Sequence, residues 1–122
     1  MALLHTGVVV LDCAEPAELA EFYRRLLGAE EGEVSLDRVD VEAADGTRIA
    51  FRRDATVTPP SWPRPDDSFQ AHLEFLVPDL DAAEREIIGL GGRILELDDS
   101  SGSAGERVCA DPAGHTFTLR QT

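Results

Sequence analysis

The sequence predicts an α+β protein made of two tandem βαβββ modules. A pseudo-twofold relates them, and their eight mixed strands form a cupped sheet with one helix per module on its outer face. Three observations point there. An apolar strand that begins at a histidine and ends at an aspartate seven positions on occurs twice, as His5–Asp12 and His72–Asp79. Each copy runs into a helix-like segment stopped by a Leu-Gly pair, Leu27-Gly28 and Leu90-Gly91. Each helix is followed by strands that close on a glycine turn, Asp45-Gly46 and Asp111-Pro112-Ala113-Gly114. Internal repetition of this kind defines a fold before any single element does.

The first strand is expected from Leu3 to Leu11. Pro16 then suits the first position of a helix, whose N–H would be unpaired anyway. Leu19, Phe22, Tyr23, Leu26 and Leu27 mark one buried helical face, and Gly28 suits the left-handed residue that ends it. Short β-compatible runs follow at Glu33–Leu36 and Arg38–Ala44. Asp45-Gly46 signals a two-residue hairpin leading to Thr47–Arg53. Module one therefore spans residues 1–55.

Residues 56–69 form a linker, because four prolines between Pro59 and Pro65 exclude helix and interior strand. Trp62, the one tryptophan, lies within it. Module two, residues 70–122, repeats the order. A strand at Gln70–Val77 leads to Asp79, a good N-cap for a helix over Leu80–Leu90. A strand at Arg93–Leu97 and a Ser/Gly-rich loop at Asp98–Gly105 come next. Strands at Arg107–Ala110 and Thr116–Arg120 flank the final turn, where His115 is expected as a turn residue.

A chain of 122 residues supports one core-bearing domain. With 43% hydrophobic residues it has enough apolar surface to fold. A net charge of −13 excludes nucleic acid and anionic membrane surfaces as partners. No run reaches the ~18 apolar residues of a membrane span, and no signal peptide opens the chain, so a cytoplasmic location is expected. Cys13 and Cys109 read as buried small hydrophobes rather than a disulfide or a nucleophile.

Strand alternation sorts side chains by face. Leu73, Phe75, Val77, Ile49, Phe51, Phe117 and Leu119 are expected under the helices. His5, Val9, Leu11, Arg48, Ala50, Arg52, His72, Glu74, Leu76, Thr118 and Arg120 are expected toward the cup. The predicted ligand-binding set is thus His5, Val9, Arg48, Arg52, His72, Glu74, Leu76, Thr118 and Arg120, joined by Trp62. His5, His72 and Glu74 are the candidates for acid–base work, and the arginines could hold a carboxylate or phosphate. Glu74 sits two residues from His72, ~6.5 Å along one strand, which is awkward for joint coordination of one ion. No Ser or Cys nucleophile constellation, phosphate loop or zinc-type cysteine spacing occurs.

Several pieces in order resemble the vicinal oxygen chelate superfamily, which contains glyoxalase I, bleomycin-resistance proteins and extradiol dioxygenases. They are Leu4-His5-Thr6, the helix ending Phe22-Tyr23-Arg24-Arg25-Leu26-Leu27-Gly28, the segment His72–Leu80, and Asp111-Pro112-Ala113-Gly114-His115. The linker and the last motif are most similar to the small glyoxalase-like subgroup. The resemblance implies a small organic ligand between the modules and a homodimer. In its metal-using members, ligands come from the strands that open the modules and from the strands that end the hairpins. The first pair maps onto His5 and His72, the second onto Ala50 and Thr118. Because Ala50 and Thr118 offer no carboxylate, a metal-free binder is expected, with no cofactor. The alternatives are a divalent-metal-dependent lyase, isomerase or dioxygenase, and a subunit-interaction module without pocket chemistry.

Overall fold

A computed structural model describes residues 2–56, 71–97 and 106–122. They fall in two compact units, one within Met1–Val57 and one within Thr58–Thr122. The first holds β1 (Val9–Cys13), α1 (Pro16–Leu27), β2 (Glu30–Val34), β3 (Arg38–Glu42) and β4 (Arg48–Arg53). The second holds β5 (Leu73–Val77), α2 (Leu80–Gly89), β6 (Arg93–Leu97), β7 (Glu106–Ala110) and β8 (Thr116–Gln121). Each unit is a four-stranded mixed sheet, in the orders β1-β4-β3-β2 and β5-β8-β7-β6. The outer pairs β1–β4 and β5–β8 are parallel, and the rest are antiparallel. The chain is α+β, built of two βαβββ modules. The linker beyond Thr56, with Trp62, and the loop at 98–105 lie outside the described residues.

The helices form where local signals agree. Pro16 opens α1, which buries Leu19, Ala20, Phe22 and Tyr23. Gly28 ends it at φ 61°, and the N–H groups of Gly28 and Ala29 both donate to the Arg24 carbonyl. That left-handed φ favours glycine, the residue without a Cβ. In α2, Asp79 caps the N-terminus through Oδ1, which accepts from the N–H groups of Asp81 (3.0 Å) and Ala82 (3.2 Å). The cap of α1 is Glu15, whose side chain makes no such bond.

Each core lies between a helix and the face of the sheet beneath it. In module one Tyr23 stacks on Phe51, ring centroids 5.4 Å apart, above buried Val39, Val41 and Ile49. In module two Phe75 meets Phe117 edge-on at 5.7 Å, with Leu80, Ile87, Cys109 and Leu119 buried around them. Gly92 lets α2 settle on its sheet. A Cβ there would come within 2.6 Å of Ile87 Cγ2 and 3.0 Å of the Ala110 carbonyl. The edge strand β2 is exposed along its length and carries Glu30, Glu31 and Glu33, charges that discourage edge-to-edge pairing.

The first strand starts six residues later than Leu3 and ends at Cys13 rather than Leu11. Val9 pairs with Ile49, so at the same register His5 would fall opposite Asp45, in the turn that precedes β4. The ladder therefore has no partner to offer His5. Likewise β5 begins at Leu73, one residue past His72, in register with Phe117. The second strand runs Glu30–Val34 rather than Glu33–Leu36, because Glu30 and Glu31 pair with Glu42 and Val41 across a register shift.

Candidate functional site

Register decides which side chains share a face. Val9 and Leu11 pair with Ile49 and Phe51, both of which lie in the core. Val9 and Leu11 therefore belong to the helix-covered face and not, as the sequence suggested, to the opposite one. The run Val8-Val9-Val10 has no alternation of its own, so only the partner strand could set its face.

The face away from α1 is lined by Val10 and Asp12 on β1, Arg48, Ala50 and Arg52 on β4, and Arg38, Asp40 and Glu42 on β3. Its charges are matched internally. Arg52 Nε lies 2.9 Å from Asp12 Oδ1, Arg38 Nε 2.8 Å from Asp40 Oδ1, and Arg48 Nε 3.6 Å from Glu42 Oε1. At the centre Ala50 is fully buried.

The face away from α2 carries Glu74 and Leu76 on β5, Thr116, Thr118 and Arg120 on β8, and Glu106 and Val108 on β7. It is sparser in charge. Arg120 Nη2 reaches Glu74 Oε2 at 3.6 Å. Thr118, at the centre, is 5% exposed, and its Oγ1 is buried with no hydrogen-bond partner among the described residues. A buried hydroxyl left unbonded costs free energy, so native structures rarely keep one without a use.

Arg48, Arg52, Glu74, Leu76, Thr118 and Arg120 thus sit on the open faces, the first two on module one and the others on module two. His5 is exposed in the segment before β1, and His72 is exposed just before β5. The two histidines are not equivalent. Both strands end two residues before their helix caps, Glu15 and Asp79, and Val9 and Leu73 hold the same rung against Ile49 and Phe117. The residue equivalent to His72 is therefore Val8. The sequence aligned Asp12 with Asp79, but Asp12 lies inside β1, where it pairs with Arg52.

His115 is held in the last turn. The buried Asp111 carboxylate accepts from the N–H groups of Ala113 (2.9 Å) and His115 (3.0 Å), and His115 Nδ1 lies 2.9 Å from Asp111 Oδ2. Both cysteines are buried thiols outside any disulfide, and burial pushes Cys109 up to about 12. That leaves it protonated and unreactive at neutral pH.

Two βαβββ modules, each with one sheet face that its own helix leaves uncovered, define the vicinal oxygen chelate class. A glyoxalase-like domain profile matches residues 8–120, and the chain belongs to that family. A search of curated proteins returns no match. Among solved structures, the chain is similar to a glyoxalase/bleomycin resistance protein/dioxygenase family enzyme from Burkholderia phytofirmans PsJN, at 15% identity and TM-score 0.72, covering 93% of this chain and 95% of that one. It is similar to the genomically encoded fosfomycin resistance protein FosX of Listeria monocytogenes, complexed with Mn(II) and sulfate, at 16% identity and TM-score 0.72, over 98% and 91% of the two chains. A possible glyoxalase from Bacillus cereus matches at 16% identity and TM-score 0.66, over 95% and 99%. At these identities the likeness is one of fold.

Ladder register makes Val8 the equivalent of His72, and Ala50 the equivalent of Thr118. Of these four side chains one is an imidazole, one a hydroxyl and two are hydrocarbons. Among the described residues, no group of three or more His, Cys, Asp or Glu side chains could hold an ion. No helix among them is long and apolar enough to cross a membrane.

Proposed function

We propose that the protein binds a small organic molecule on the open faces of its sheets, without a metal ion, as a cytoplasmic homodimer. The observation that carries this reading is the side chains at the equivalent positions of each module, Val8 and Ala50 in one and His72 and Thr118 in the other, which suit hydrogen bonding and van der Waals contact better than coordination. Arg48 and Arg52 line the proposed face of module one and Glu74, Leu76, Thr118 and Arg120 that of module two, and His72 and Glu74 are the candidates for proton transfer. Sequestration of the ligand, as in bleomycin-resistance proteins, fits a surface with polar anchors and no constellation for covalent chemistry.

The competing reading is a divalent-metal-dependent lyase, isomerase or dioxygenase. It draws on the likeness to FosX, whose structure is described with Mn(II). Thermal denaturation of untagged protein separates the two, since a ligand that binds only the native state raises the midpoint. The proposal expects stabilisation by members of a panel of aromatic and carboxylate-bearing compounds and none by Mn(II), Zn(II) or Ni(II). Stabilisation by a metal alone would replace it with the metalloenzyme. No response to either would favour a subunit-interaction module.

A further inference from the structure

The modules differ in how they hold two equivalent arginines. Arg52 faces Asp12 directly across the β1–β4 ladder and meets it at 2.9 Å. Arg120 faces Leu76 across the β5–β8 ladder, a side chain that accepts nothing. Its guanidinium turns back diagonally to Glu74 instead and stops at 3.6 Å, beyond N–H···O bonding distance. Between these two charges in register stands Thr118, directly across from Glu74 and two residues from Arg120, with its buried hydroxyl unbonded. A loose ion pair, an idle hydroxyl and two apolar neighbours, Leu76 and Val108, therefore share one patch.

We infer that this patch receives a small zwitterion with an apolar body, of which an aliphatic α-amino acid is the simplest example. The inference rests on the small-molecule reading above and narrows it. The ligand enters between Glu74 and Arg120. Its carboxylate takes the guanidinium in the bidentate geometry arginine favours and accepts from the Thr118 hydroxyl. Its ammonium group bonds Glu74, and its body lies on Leu76 and Val108. Charge selects this class. A simple anion would take the guanidinium from Glu74 and leave two carboxylates flanking the site, Glu74 on β5 and Glu106, the register partner of Arg120 on β7, on a protein of net charge −13. A simple cation would take Glu74 and leave the guanidinium without a partner. A zwitterion matches both signs, and it exchanges one long contact for charge-assisted hydrogen bonds at both of its charged ends.

Isothermal titration with free leucine, leucinamide and N-acetylleucine tests this at low ionic strength. Leucine is expected to bind at least ten-fold tighter than either singly charged analogue. Arg120→Met and Glu74→Gln, both at exposed positions, should each weaken leucine at least ten-fold at an unchanged melting midpoint. Thr118→Val should weaken it several-fold without lowering that midpoint. An analogue that binds as tightly as leucine, variants that leave its affinity intact, or no binding by any of the three overturns the inference. Where one of these results accompanies a hit in the wider compound panel, the small-molecule reading stands and the zwitterion does not; where the panel also fails, both fall.

Discussion

Thr118 and Ala50 occupy the same rung of equivalent ladders, each buried at the centre of the face its helix leaves open. One carries a hydroxyl with no hydrogen-bond partner among the described residues, and the other carries only a methyl group.

Thr118→Val should therefore stabilise the free protein while weakening ligand binding. The substitution keeps shape and removes a buried unsatisfied polar atom, a gain of about 1 kcal/mol. Urea denaturation measures the first effect, and titration with the ligand the second. A loss of stability would mean that the hydroxyl is bonded after all.

The two helix caps give a matched pair. Asp79→Ala removes an acceptor for two backbone N–H groups and should cost about 1 kcal/mol. Glu15→Ala, at the equivalent cap, removes no such bond and should stay within about 0.5 kcal/mol of the parent. Denaturation midpoints of the two variants check the contrast directly.

These caps also separate what the sequence makes legible from what it hides. Pro16, the apolar stripe Leu19–Phe22–Tyr23, Asp79 and the Asp45-Gly46 turn act on their own neighbours, so the helices and hairpins can be read from order alone. Register cannot be read that way. His5 and His72 each precede an aspartate by seven residues, and the eye aligns them. The position where β4 begins, nearly forty residues downstream of β1, decides that Val8 holds the place of His72. The face of Val9 is set by the same distant partner. Thr118 is visible in the sequence as a face-lining residue, but its missing hydrogen bond is a property of packing.

Asp111→Ala should destabilise module two by about 2–4 kcal/mol. It removes a buried carboxylate that holds two backbone donors and His115 Nδ1, and each donor left unbonded carries its own penalty. Equilibrium unfolding followed by tryptophan-independent far-UV dichroism is a suitable measure.

Gly92→Ala tests the seat of α2. With a new Cβ at 2.6 Å from Ile87 Cγ2 and 3.0 Å from a carbonyl oxygen, the helix must shift off its sheet, at a cost of about 1–3 kcal/mol. Gly89→Ala, where a Cβ meets open space, should be neutral or stabilising.

Burial raises the Cys109 thiol from 9.0 to about 12, and linkage fixes the sign of its effect. Above pH 9 the unfolded chain releases this proton and the folded one keeps it, so stability falls as pH rises toward 12. The slope approaches about 1.4 kcal/mol per pH unit, and Cys109→Val should flatten it. The native thiol should resist alkylation at pH 8 and react on unfolding.

Calorimetric titration of Mn(II) into untagged protein bears most directly on the central proposal, that the positions the family resemblance gives to metal ligands hold too few strong donors for an ion. The account predicts no binding heat for the native sequence, and the appearance of binding once Val8→His, Ala50→Glu and Thr118→Glu are introduced together. Stoichiometric binding by the native chain would contradict it.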